Sequence, residues 1–94
     1  MLLTIKENNG IILLEGAICS ETVKKFKDHL EFLLVYKKSL TINIDRVTAI
    51  NKTGLTVIED LFKKAKISNK SFSIIGYGCK EIYESVDLSA VDAA

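Results

Sequence analysis

Leu3 and Ile5 alternate with Thr4 and Lys6 at the start of the chain, the period of two that a half-buried strand shows. Glu7-Asn8-Asn9-Gly10 then leads into the apolar run Ile11-Ile12-Leu13-Leu14. Asn-Gly between two β-prone runs predicts a tight hairpin, because both central residues of the favoured turn need positive φ. Gly16 to Cys19 read as a connection, with Ser20 as the capping residue of a helix and Glu21 well placed for its dipole. From there the spacing of Val23, Phe26, Leu30, Leu33 and Leu34 makes one apolar stripe on a helix of about four turns.

Leu40-Thr41-Ile42-Asn43-Ile44-Asp45 alternates strictly and predicts a strand with one buried and one polar face. A parallel sheet covered by helices on both sides would be apolar on both faces here, so the helices are expected on one face only. After a loop from Arg46 to Lys52, the residues Leu55, Ile58, Leu61, Phe62 and Ala65 mark a second amphipathic helix. Its acids Glu59 and Asp60 precede Lys63 and Lys64 by four residues each, the favourable direction for such pairs. Phe72 to Gly76 form a further strand, and Gly78 to about Val86 a short third helix. The expected order is β-β-α-β-α-β-α: an α/β two-layer sandwich with a mixed sheet, one domain over residues 1–94.

The 94 residues, 48% of them apolar, suffice for one modest core without metals or disulfide staples. Thirteen Lys plus Arg against twelve Asp plus Glu leave a net charge of +1, no basic field for a phosphate backbone. Aromatics at 7% and the absence of Trp leave few platforms for stacking bases, so nucleic acid is not an expected partner. Cys19 and Cys79 are too few for a disulfide framework and too far apart for zinc spacing, which fits a reducing, cytoplasmic setting. The opening segment lacks the apolar core of a signal peptide, and the longest apolar run, Phe32 to Tyr36, falls far short of the roughly 20 residues that cross a bilayer. Direct membrane insertion is therefore not expected.

No catalytic set assembles from the sequence. His29 lies opposite the apolar stripe of the first helix without a Cys or second His near it. Gly76-Tyr77-Gly78 follows a strand, but position 81 is Glu where a dinucleotide loop needs its third glycine, so a turn is the better reading. Cys79, near a helix start, has no base to activate it. Asp45 ends a strand as a receiver's phosphoacceptor does, yet residues 5 to 10 supply Glu7 alone for the magnesium site such chemistry needs. Neither metal nor cofactor is expected, and a small flavodoxin-like enzyme ranks last among the readings.

Thr53 is different. It precedes Gly54-Leu55 where helical periodicity begins, which places its hydroxyl at an exposed N-cap. Plain capping is one reading of it and phosphorylation the other. A phosphate there would add about −1.5 to −2 charges beside free amides and the positive helix end, altering the surface without unfolding the domain.

The stretch Asn43-Ile44-Asp45-Arg46-Val47-Thr48-Ala49-Ile50-Asn51-Lys52-Thr53-Gly54-Leu55 resembles the signature of STAS domains, the module shared by sulphate transporters and anti-sigma factor antagonists. In that family a strand ends in an Asp-rich loop that runs into Asp-Ser-Ser-Gly-Leu or Asp-Ser-Thr-Gly-Leu at a helix start. Ser85 to Ala90 resemble the pattern before the family's last strand, and the element order matches across nearly the whole chain. Asn43, Asn51 and Lys52 stand where many members carry Asp, Asp and Ser.

The resemblance implies a STAS-like sandwich and a binding protein with no enzymatic activity of its own. Its partner would be a serine/threonine kinase that also acts as an anti-sigma factor. That kinase would phosphorylate Thr53 and so release itself, and a phosphatase would reset the switch. Asn51, Lys52, Gly54, Leu55 and Thr56 would shape the contact surface, Gly54 by sparing an approaching kinase a side chain and Leu55 by anchoring the helix. The alternative is a non-phosphorylated adaptor subunit of a transporter or signalling complex. Because Ala94 falls roughly where the family's last strand begins, a shortened C-terminus is expected, with an exposed edge strand open to a partner or to a second copy in a homodimer.

Overall fold

A computed structural model describes residues 2–77. The third helix expected at 78–86, Cys79, the motif at 85–90 and the shortened C-terminus lie outside the described residues. Within them the order is β1 (Leu3–Asn8), β2 (Ile11–Ile18), α1 (Val23–Tyr36), β3 (Ser39–Ile50), α2 (Lys52–Ile67) and β4 (Ser71–Ile75). The strands form one mixed sheet in the order β1-β2-β3-β4, with β1 antiparallel to β2 and the other pairs parallel. Asn9 at φ 53° and Gly10 at φ 82° make the hairpin turn that the Asn-Gly signal predicts.

Both crossovers step the same way along the sheet, so α1 and α2 pack side by side on one face. That face is the core. Ile12, Leu14, Leu40, Ile42 and Ile44 meet Phe26, Leu30 and Leu34 of α1 and Ile58, Leu61 and Ala65 of α2, all buried. Phe62 of α2 closes edge-on against Phe72 of β4, with ring centroids 4.7 Å apart. On the opposite face Thr41 and Ser73 share a hydrogen bond of 3.1 Å between neighbouring strands. Among the described residues both helices lie on the other face, in keeping with the polar alternation of residues 40–45.

Five local expectations need correction. The segment 46–50 is not a loop: β3 continues to Ile50, and β2 reaches Ile18 through the segment read as a connection. Two register shifts between β2 and β3, one at Leu13/Glu15 and one at Gly16/Ala17, absorb extra residues on β3. These bulges break the alternation while keeping the pairing, which is why the periodicity signal stopped at Asp45.

Ser20 does not cap α1. Thr22 stands at its start, buried, accepting from the Cys19 amide at 2.9 Å and donating to the Ala17 carbonyl at 2.6 Å, so it ties the end of β2 to the helix. Thr53 does not cap α2, for the reason given below. Nor do Glu59 and Asp60 pair along α2: Lys64 reaches Glu31 of α1 instead, and no ion pair to Glu59, Asp60 or Lys63 forms among the described residues. Packing α1 against α2 brings Glu31 within reach of Lys64 and outcompetes the exposed pair along one helix.

Candidate functional site

The end of β3 and the start of α2 build the site. Ile50 and Ile18 close the parallel pair, and the Asn51 amide donates to the Ile18 carbonyl at 2.9 Å, so both strands stop at one level. The chain then turns directly into α2. Asn51, extended at φ −91° and ψ 175°, is the N-cap: its Oδ1 accepts from the Gly54 amide at 2.7 Å, and its carbonyl accepts from Leu55 at 3.1 Å. Asn is among the strongest N-cap residues, so the signal for this role was present at position 51, three residues before the glycine.

Gly54 is buried, and its role is internal rather than partner-facing. A Cβ there would lie 2.7 Å from Ile18 Cγ2 and 2.8 Å from Ile50 Cγ1. The missing side chain lets the first turn of α2 sit on the ends of both central strands. Crowding of an approaching kinase is thus not what position 54 prevents. Leu55 is half-buried and packs against the core, consistent with its expected anchoring role.

Thr53 is the second residue of α2 and is exposed, with its hydroxyl in no hydrogen bond among the described residues. Lys52, also exposed, precedes it. The amides of residues 52 and 53 precede the first bond of the helical ladder, the one that Leu55 makes, and the dipole there favours an anion. Lys52, Thr53, Leu55, Thr56 and Glu59 line one shallow depression on the outside of this turn. Thr56 donates its hydroxyl back to the Lys52 carbonyl at 3.1 Å, so of the two threonines lining this depression only Thr53 has a hydroxyl in no hydrogen bond among the described residues. The residues singled out in the sequence thus come together, but in two groups: Asn51 and Gly54 build the turn, and Lys52, Thr53, Leu55 and Thr56 present its surface. Glu59, which sequence reasoning assigned to an ion pair, joins the second group.

The other candidates fall elsewhere. Asp45 is exposed at the β3 bulge, where Oδ1 accepts from the Tyr77 amide at 2.7 Å and holds the exit of β4. Glu7 pairs with Lys37 at 3.0 Å on the far side of the hairpin, so these two carboxylates are not assembled into one site. His29 is exposed on α1. Cys19 is half-buried in the turn before α1, where the Thr22 hydroxyl and then the backbone at Glu21 hold its thiol below the usual thiol range. Among the described residues no helix is long and apolar enough to cross a membrane.

Comparison with known proteins gives a consistent picture of the fold. No curated protein matches the sequence. Among solved structures, the Bacillus cell fate determinant SpoIIAA in its phosphorylated form superposes with a TM-score of 0.74 at 7% identity, over 98% of this chain and 86% of its own. An anti-sigma factor antagonist from Mycobacterium paratuberculosis gives 0.71 at 15% identity, over 98% and 80%. The unphosphorylated form of the anti-sigma factor antagonist SpoIIAA gives 0.68 at 6%, over 88% and 80%. At such identities the likeness is one of fold: a mixed sheet with helices packed on it in the same order. The family itself is read from the sequence, since residues 1–79 match the model of the STAS domain. Motif, topology and family model agree, and the chain belongs to the STAS domain family.

Proposed function

We propose that this chain is a cytoplasmic protein-binding switch of the anti-sigma factor antagonist type, without catalytic activity of its own. It docks through the start of α2 on a serine/threonine kinase that acts as an anti-sigma factor. The observation that carries this reading is the exposed, uncommitted hydroxyl of Thr53 on a turn capped by Asn51 and seated by Gly54. In the phosphorylation step Thr53 Oγ1 attacks the γ-phosphorus of ATP held by the kinase. The bond from that phosphorus to the β-γ bridging oxygen breaks, ADP leaves, and the hydroxyl proton passes to a base of the kinase. A phosphatase reverses the modification by delivering water to the phosphorus, restoring the hydroxyl and releasing inorganic phosphate.

The switch works by charge at a fixed scaffold. The phosphate adds about −1.5 to −2 charges where amides and the Lys52 ammonium accommodate it, so the fold persists while the docking surface becomes negative. Incubation with the cognate kinase and Mg-ATP is expected to add one phosphoryl group, absent from Thr53→Ala. Phosphorylated Thr53→Ala would defeat the assignment.

A second reading is favoured by the commitment of Asn51 to the cap and by Lys52 next to Thr53, where family members carry Asp and Ser. On it the chain is a constitutive adaptor that binds its partner through the same surface without modification. Thr53→Glu would then bind the partner as well as the parent does, whereas a switch requires the Glu form to bind markedly less.

A further inference from the structure

The outer face of α2 carries its charges in a fixed order. Leu55, Thr56 and Glu59 follow Lys52 by three, four and seven residues, the spacing that puts all four on one stripe over the first two turns of the helix. With Thr53 they line the shallow depression beside the helix start. Lys52 and Glu59, both exposed, stand about 10 Å apart along the axis, with half-buried Leu55 between them.

Neither charge is satisfied within the described residues. Lys24, Arg46 and Lys64 are each closed on a carboxylate, whereas Lys52 and Glu59 make no ion pair. Asp60 and Lys63 are unpaired as well, but neither lines the depression. Lys63 lies one turn beyond Glu59 without closing on it, and Asp60 is rotated about 100° from Glu59 around the axis. The two charges of the stripe cancel in sum, so a surface of a single sign, whether a phosphate backbone or an anionic lipid layer, gains nothing from it. A protein surface with the reverse order gains at both ends, through a carboxylate on Lys52 and a cation on Glu59, with an apolar group on Leu55 between them.

We infer, on the reading of the chain as a kinase-binding switch, that the kinase docks in this one register: an acidic side chain on Lys52, an apolar one on Leu55 and a basic one on Glu59. Glu59 is then a partner-selecting residue outside the Thr-Gly-Leu motif. Phosphate on Thr53 acts at one end of the register only. It neighbours Lys52, takes up the ammonium and repels the carboxylate of the kinase, while Glu59 lies about 9 Å further along the helix.

Isothermal titration calorimetry of the intact chain tests this, against the purified kinase that phosphorylates Thr53, loaded with ADP so that no phosphoryl transfer occurs. Lys52→Glu and Glu59→Lys should each weaken binding at least about tenfold, because like charges then face each other. Asp60→Lys, which changes the net charge as much as Glu59→Lys does from the next position, should alter binding less than about twofold. Lys52→Gln with Glu59→Gln should weaken binding too, and added NaCl should weaken the parent more than this pair. Circular dichroism melting checks that each variant folds. Binding left unaltered by either reversal overturns the register while the labelling of Thr53, and with it the switch, still stands. Equal weakening by Glu59→Lys and Asp60→Lys also overturns it, since the effect would then be diffuse steering. Failure of the host's kinases to label Thr53 in Mg-ATP is a different result: it removes the switch itself, and the register falls with it.

Discussion

The carboxamide of Asn51 accepts the amide of Gly54 at 2.7 Å, and the same glycine has no room for a side chain against Ile18 and Ile50. One residue closes the helix end and the other seats it on the sheet. Together they set the height at which Thr53 is presented.

Replacing Gly54 by alanine should therefore destabilise the domain rather than help its helix. A new Cβ must displace two branched side chains, at a cost of about 1–3 kcal/mol, which exceeds the gain of about 1 kcal/mol in helix propensity. Urea denaturation of Gly54→Ala against the parent checks the sign, and an unchanged or raised midpoint would refute the seating role.

Asn51→Ala removes the cap and should cost about 1 kcal/mol, whereas Asn51→Asp keeps an acceptor in place and adds a charge favoured by the helix dipole. The ordering of midpoints, Asp at or above the parent and Ala below both, is the expected result of chemical denaturation. An Ala variant as stable as the parent would show that the Oδ1 contact contributes nothing.

Thr53→Glu should fold at least as stably as the parent. A negative group in the first turn is worth about 0.3–1 kcal/mol at low ionic strength, and the gain should shrink as salt is added. Thermal melts at low and high NaCl measure this without any partner, separating the effect on the scaffold from any effect on docking. Destabilisation at low salt would contradict the placement of residue 53 at the positive helix end.

Thr22→Val should leave the Ala17 carbonyl and the Cys19 amide without their partner, at a cost of about 1–3 kcal/mol. The same change should slow alkylation of Cys19. The thiol is held low chiefly by the Thr22 hydroxyl, so losing it raises the thiol pKa and lowers the thiolate fraction at a given pH. Iodoacetamide rates in a Cys79→Ser background, followed against pH, should shift towards alkaline in Thr22→Val. Superimposable profiles would rule out that hydrogen bond as the cause.

Local chemistry determined more of the fold than of the site. Asn9-Gly10 specified its turn because few other dipeptides accept positive φ twice. Phe26, Leu30 and Leu34, with Ile58, Leu61 and Ala65, specified which face each helix buries, because a period of 3.6 leaves one stripe. The strict alternation of residues 40–45 specified a sheet with one apolar and one polar face, and the Thr-Gly-Leu motif marked where α2 begins. Tertiary structure decided the rest, wherever an outcome depended on a competitor distant in sequence. Bulged pairing with β2 carried β3 on to Ile50, and Glu31 of α1 took Lys64 from its own helix. The approach of Ile18 and Ile50 made Gly54 a packing requirement, and Asn51 took the cap that left the Thr53 hydroxyl uncommitted. A periodic pattern records only which side of an element meets the core, so choices between rival partners become visible only when the chain has brought them together.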